Sequence, residues 1–279
     1  MHGLIFVTWE KYLSERFGGT ALQEYRTAIG ETFATTPLAN RVYDDAALLA
    51  GVAAANRITG APVDTLLREY GRYFITNGLT RYRCAYLLSQ VHSGRDLLLA
   101  MRDAHKQMSR IPDGLTPPVF QYRALPHNTN GLLLIYDSPR KLCVLLLGAI
   151  EGAAEYYHEK VAIVEHLCMK RGDRACTLEV IFSAPLAEQL AEIPEVRERH
   201  LAQRQFADLI LSVLPFEKGL TLADLQGVLQ MRGLNAQQHR PALILQALEH
   251  LHHAGLVANT ANQPGDVFTH RQYWRVPTS

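Results

Sequence analysis

One histidine, a tyrosine–serine–arginine triplet and a group of cysteines carry the chemistry open to this chain of 279 residues. His105 recurs with Leu97, Leu98, Met101 and Met108 at intervals of three and four, while Arg95, Arg102, Asp103, Lys106 and Gln107 fill the other positions. That spacing puts His105 on the apolar face of a helix. An imidazole there serves either as a core histidine satisfied by a backbone carbonyl or as an axial haem ligand, which must meet iron in an otherwise apolar pocket. In Tyr136-Asp137-Ser138-Pro139-Arg140, two hydroxyls and a guanidinium stand at alternate positions. Such a triplet can clamp carboxylates, Arg140 with bidentate charge-assisted bonds, or can simply turn the chain into a helix. Cys168 and Cys176 flank the turn Lys170-Arg171-Gly172-Asp173, with His166 two residues before Cys168 and Cys143 just beyond the triplet. Three thiols and an imidazole make a tetrahedral zinc set; the same residues also suit small buried hydrophobes and an exposed histidine. By strand alternation His166, not Glu165, shares a face with Cys168.

The elements that must position these groups fall into two parts. Met1 to about Arg110 is helical in period, with clear runs at Ala46–Asn56 and Val63–Phe74, and Ser93-Gly94-Arg95-Asp96 is a capping start for the His105 helix. After Pro112 the pattern predicts strands Val119–Arg123 and Leu132–Tyr136 around a loop at 126–131, a helix Leu145–His158, then strands Val161–Cys168 and Ala175–Phe182. Helices followed by a small antiparallel sheet with one packed helix is an α+β arrangement. Beyond Ser183-Ala184-Pro185 the chain turns helical again: Leu186–Glu192, Val196–Leu214, Leu222–Met231 and Arg240–Leu251. A strand-like pair within Leu256–Val276 then closes a winged-helix-like pattern, so two domains are expected, 1–184 and 185–279.

The opening Met1-His2-Gly3-Leu4-Ile5-Phe6-Val7-Thr8-Trp9, the His105 helix running into Gly114-Leu115-Thr116-Pro117-Pro118, and the Tyr136-x-Ser138-x-Arg140 triplet together resemble the heme nitric oxide/oxygen binding (H-NOX) family over about residues 1–184. The resemblance implies haem b, with His105 on iron, Tyr136, Ser138 and Arg140 on the propionates, and Ile5 and Pro118 pressing on the macrocycle. It implies a gas sensor rather than a catalyst. Oxygen-holding members use a distal tyrosine, whose position falls on Leu145 here, and its supporting amide position falls on Phe74. With both apolar, nitric oxide is the expected ligand and oxygen is not, Trp9 being the one nearby candidate donor. Some H-NOX proteins also carry a zinc cluster with cysteines at matching places and a histidine three residues before the cysteine, where this chain has Glu165.

Between Leu186 and Ser279 eight Lys and Arg stand against nine Asp and Glu, a net charge of −1, and the segment 240–251 takes an apolar course through Leu243, Ile244, Leu245, Leu248 and Leu251. Those features favour a signalling protein as partner over DNA, and His250, His252 and His253 read as solvated. A haem- or redox-responsive DNA-binding regulator and a zinc/thiol redox sensor are the alternatives. The net charge of the whole chain, +1, recruits neither nucleic acid nor an acidic membrane. No apolar run reaches the length of a membrane span, and without a secretory signal the cytoplasm is the expected compartment. No nucleotide-binding glycine loop, nucleophile–base pair or paired-carboxylate motif suggests an enzyme.

Overall fold

Apolar periodicity becomes three helices at the amino terminus: α1 (Gly3–Ala28), α2 (Asp45–Thr59) and α3 (Val63–Thr76). Asp44 caps α2 by accepting from the Ala46 amide, and Gly60, at φ +70°, ends it in a left-handed turn. Short helices α4 (Gly78–Arg83) and α5 (Ala85–Leu88) lead to α6 (Gly94–Met108), whose Asp96 amide donates to Ser93 Oγ at 3.0 Å, the expected cap. The computed structural model describes residues 1–32, 35–110, 114–126, 128–183, 194–261 and 267–277.

Strands β1 (Val119–Leu125), β2 (Asn128–Asp137), β3 (Val161–Leu167) and β4 (Cys176–Phe182) form one antiparallel sheet in the order β1-β2-β4-β3. β2 starts at Asn128, so the first hairpin connection is much shorter than the loop expected from its turn-forming residues. Period-two alternation turns Leu132, Leu134, Tyr136, Leu178, Val180 and Phe182 to one face, where they pack with Leu146, Ile150 and Ala154 of α7 (Cys143–Tyr156) and with Leu98 of α6. α7 crosses α3 at backbone distance: a Cβ added at Gly148 would lie 1.9 Å from the Arg68 carbonyl oxygen, and one at Gly71 would lie 2.1 Å from that of Leu145. A second cluster joins Phe6, Trp9 and Leu13 of α1, Leu48 and Val52 of α2, and Leu66 and Tyr70 of α3.

The residues divide into two compact units, Met1–Arg81 with His92–Arg102 and Pro118–Leu190, and Tyr82–Val91 with Asp103–Pro117 and Ala191–Ser279. The boundary expected near residue 184, like the helix expected at 186–192, lies outside the described residues. In the second unit α8 (Pro194–Val213), α9 (Leu222–Met231) and α10 (Pro241–His253) precede the pair β5 (Val257–Asn259) and β6 (Tyr273–Arg275), and Leu220 bridges antiparallel to Tyr273.

Two expectations about α10 change. Ile244, Leu248 and Leu251 lie in the core of the second unit with Ile210, Leu225 and Leu229, so the apolar course of this helix is internal packing. His250, His252 and His253 are buried rather than solvated, because Tyr82 and Arg83 cover that end: the Tyr82 ring meets His250 at 5.5 Å and Arg83 pairs with Glu249 at 2.6 Å. His252 Nδ1 lies 3.0 Å from the Val257 carbonyl and His253 Nδ1 lies 2.6 Å from that of Glu249. Gln107 also departs from the polar face assigned to it. It is buried, and its amide donates to the Pro277 carbonyl at 3.1 Å, alongside Arg110 at 3.0 Å. Among the described residues no single helix is long and apolar enough to cross a membrane.

Candidate functional site

The triplet sits where β2 runs out into the turn before α7. Alternation carries Tyr136 to the inner face of the sheet, opposite Phe120 on β1 and Cys176 on β4. Ser138 is buried one step past the strand, and the Arg140 side chain is only 9% exposed. Burial pushes the Tyr136 hydroxyl up to about 12, a hydrogen bond with Ser138 opposing it, so Tyr136 stays a neutral donor. Two hydroxyls and a guanidinium thus converge in a desolvated place, where each charge-assisted bond is strong. Arg140 is already spending one of them on a carboxylate: its Nε stands 2.7 Å from Asp45 Oδ2, while the amino terminus of Met1 holds Asp45 Oδ1 at 3.1 Å. Burial works to raise the Asp45 carboxyl, but Arg140 and the Met1 amino group outweigh it and hold it below the usual carboxylate range.

Four of the five apolar residues expected around the ligand share one cluster. Trp9 is fully buried in the second cluster, with Ile5, Phe74 and Leu145 half-buried against it. Pro118, half-buried just ahead of β1, is not among the side chains of that cluster. The sequence reading did not select the hydroxyls inside the cluster. Tyr70 OH donates to the Ile5 carbonyl at 2.6 Å and shares a 2.8 Å bond with Thr8 Oγ1, which in turn reaches the Leu4 carbonyl at 2.6 Å. Asp45, in the first turn of α2, was not selected either.

His105 lies on the part of α6 that belongs to the second unit. It is half-buried, next to the buried Ala104 and two residues from the buried Gln107.

The cysteines converge more tightly than their spacing suggested. Cys143 opens α7, Cys168 follows β3 and Cys176 opens β4; the three Sγ atoms lie within 4.8 Å of one another, with Cys143 and Cys168 3.7 Å apart. All three are buried and free. Burial first, then the neighbouring thiols, pushes Cys143 up to about 12, and burial also raises Cys176, so these two thiols favour their protonated form. His166 does not join them. The register of β3 against β4 slips between Glu165 and Leu167, a bulge that breaks the period-two count. His166 is exposed, its Nε2 3.1 Å from Glu179, while Glu165 stands opposite the buried Leu178 and pairs with Arg171.

The chain matches the Haem-NO-binding family over residues 2–165. It belongs to this H-NOX family. Solved structures similar to it include an H-NOX protein from S. oneidensis in the Fe(II)NO ligation state, at 22% identity and a TM-score of 0.59, covering 66% of this chain and 100% of that one. A mutant of T. tengcongensis H-NOX follows at 24% identity and 0.57, covering 67% and 100%, and an unliganded Fe(II) H-NOX mutant from K. algicida at 19% and 0.57, covering 68% and 100%. No curated protein matches in sequence. H-NOX proteins are haem-based gas sensors, and the α+β fold of helical amino-terminal region and four-stranded sheet is theirs. The buried donor set fits that cofactor: Tyr136, Ser138 and Arg140 offer what a propionate requires, and the guanidinium already takes the Asp45 carboxylate as its counterpart.

Proposed function

We propose that this H-NOX chain is a haem b-based nitric oxide sensor without catalysis of its own, passing a conformational change to a signalling partner. The observation that carries the cofactor end is the buried hydroxyl, hydroxyl and guanidinium set, matched to a carboxylate. Haem b, when bound, supplies the iron that takes the gas. His105 would hold its iron, Tyr136, Ser138 and Arg140 would take its propionates, and Ile5, Trp9, Phe74, Leu145 and Pro118 would exclude water around it. Leu145 and Phe74 bring no donor to the ligand side, and Tyr70 gives its proton to the Ile5 carbonyl. Oxygen needs such a donor more than nitric oxide does, so nitric oxide is the ligand we assign.

The signal leaves through the segment that holds His105. Residues 103–117 group with 191–279, and Gln107 and Arg110 both grip the Pro277 carbonyl just past β6. A ligand-dependent change in how firmly His105 holds the iron would therefore bias a segment packed into the carboxy-terminal unit, a two-state element moved by one ligand.

A second input is favoured by the three converging thiols, which suit a zinc ion or a thiol redox response with Cys143, Cys168 and Cys176 as the ligands and a fourth other than His166. Zinc content near one per chain, abolished by Cys143→Ser, supports it; a metal-free purified protein removes it.

The decisive experiment is the visible spectrum of the reduced protein without air, before and after nitric oxide, and with oxygen on a separate sample. A Soret band that shifts with nitric oxide and ignores oxygen is expected. His105→Gly should lose the proximal bond and recover it with added imidazole; an unchanged spectrum takes His105 out of the role, and protein that cannot be loaded with haem ends the reading.

A further inference from the structure

We infer that Glu10 and Glu31 share a single proton across the fold in α1, forming a pH-responsive latch that holds the second half of that helix against the first. The chain reverses at Gly18, whose φ of +88° and ψ of 168° break the helical path inside Gly3–Ala28. Glycine, lacking a Cβ, takes that conformation at low cost. A straight helix would set residues 10 and 26 about 24 Å apart along its axis. Instead Arg26 Nη2 reaches Glu10 Oε2 at 2.5 Å and its Nε reaches the same oxygen at 3.1 Å, so the second half lies back along the first.

Charge does not balance at this contact. The Glu10 side chain is 8% exposed and that of Glu31 5%, and Arg26 Nε also stands 3.6 Å from Glu31 Oε1. Two buried carboxylates around one guanidinium leave a negative charge desolvated, and binding a proton relieves it. The unbonded atoms agree: Glu10 Oε1 and Glu31 Oε1 are buried and have no hydrogen-bond partner. One proton between the two carboxyls turns an acceptor into a donor and gives each of these oxygens a partner.

The other groups facing the pair are Arg26 and Tyr25 from the second half of α1 and Thr36 from the turn beyond it. Burial first, then the bond to Glu10 and its charge, pushes Glu31 up from 4.5 to about 7, with Thr36 and Arg26 opposing. Tyr25 is raised by burial and then by Glu10, and stays a neutral phenol. It is pressed against α2, where a Cβ added at Gly51 would lie 2.6 Å from its hydroxyl oxygen. Because the folded chain holds the Glu31 proton more tightly than an unfolded chain does, the stability of the latch is complete below pH 4.5 and is lost as pH rises to about 7. Above that, two carboxylates repel each other across the fold. Trp9, next to Glu10, and Tyr25 belong to the same cluster as Ile5 and Phe74, so the latch lies behind the apolar residues assigned to the ligand. The proton site rests on the first unit alone; only its bearing on the gas ligand rests on the haem reading above.

The test is an infrared titration of carboxyl groups in the full chain, from about pH 5 to about pH 9, haem-free and haem-loaded, since the pair is not among the proposed haem contacts and should titrate in both. A carbonyl band of a protonated carboxyl that vanishes near pH 7 is expected, a proton affinity roughly 300-fold above that of a free glutamate. Glu31→Gln and Glu10→Gln should each remove it, because a single carboxylate suffices for Arg26. Arg26→Gln should keep the band and move its midpoint upward. Hydrogen-exchange protection of amides 19–28, corrected for the intrinsic rate, should fall as pH rises through 7 in the parent chain and hold in Glu31→Gln. No such band in either form, a band whose midpoint ignores Glu10→Gln, or protection of 19–28 indifferent to pH overturns the inference.

Discussion

Two glycine-to-alanine changes in helices should move stability in opposite directions, and the difference tests whether α3 and α7 meet backbone to backbone. At Gly148 a Cβ would lie 1.9 Å from the Arg68 carbonyl oxygen, where ordinary contact begins near 3.4 Å, so α7 must retreat from α3 by about 1.5 Å. The obstacle is main chain and cannot rotate away. Overpacking of this kind costs about 3 kcal/mol, at the upper end of the usual range, against about 1 kcal/mol gained from replacing a helical glycine. The net loss is about 2 kcal/mol, a fall in Tm of roughly 4–8 °C for a unit of this size. Gly227, in the middle of α9, is exposed and an added Cβ there meets nothing within 4 Å. Gly227→Ala should therefore stabilise, by up to about 1 kcal/mol. Thermal unfolding of both full-length variants by far-ultraviolet circular dichroism reads the pair. The packing has a functional side, since Gly71 makes the same approach to the carbonyl of Leu145, a residue assigned to the ligand pocket. A Gly148→Ala protein as stable as the parent refutes the close crossing.

Asp45→Asn should lower the urea midpoint by the equivalent of about 1–2 kcal/mol, because it strips the buried Arg140 guanidinium of its carboxylate, the figure being reduced for the partial exposure of Asp45; an unchanged midpoint denies the pair any structural role. Acid should loosen the carboxy-terminal unit. His253 is pushed down from 6.5 to about 3, first by burial and then by the neighbouring His252. The folded form therefore prefers the neutral ring, and that stability is complete above pH 6.5 and is lost as pH falls toward 3. Unfolding midpoints followed by tryptophan fluorescence should decline across this window and flatten in His253→Gln; a slope of the opposite sign contradicts the burial.

Local pattern made a large part of the molecule legible. The runs around Leu48 and Leu66 became α2 and α3, the cap at Ser93 opened α6, and the alternation of Leu132, Leu134 and Tyr136 set the inner face of the sheet. Each of these rests on residues within one or two turns of one another, so side-chain period alone decides it. The Tyr136, Ser138 and Arg140 set was visible for the same reason. So were the cysteines as a group, although their convergence needed β3, β4 and α7 to be brought together.

What only the tertiary structure decided depends on contacts between distant segments. One bulge between Glu165 and Leu167 shifted the parity of the strand and turned His166 away from the thiols; an extra residue in a strand leaves no mark on hydropathy. The histidines of α10 are buried because Tyr82 and Arg83, some 170 residues earlier, lie over them. Gln107 is buried because the Pro277 carbonyl accepts its amide, and Arg140 is anchored because Asp45 and the chain's own amino terminus meet it. The sequence by itself determined the elements, their inward faces and the donor sets. Packing over long range decided which polar groups found partners, and with it the grouping of the His105 segment with the carboxy-terminal unit.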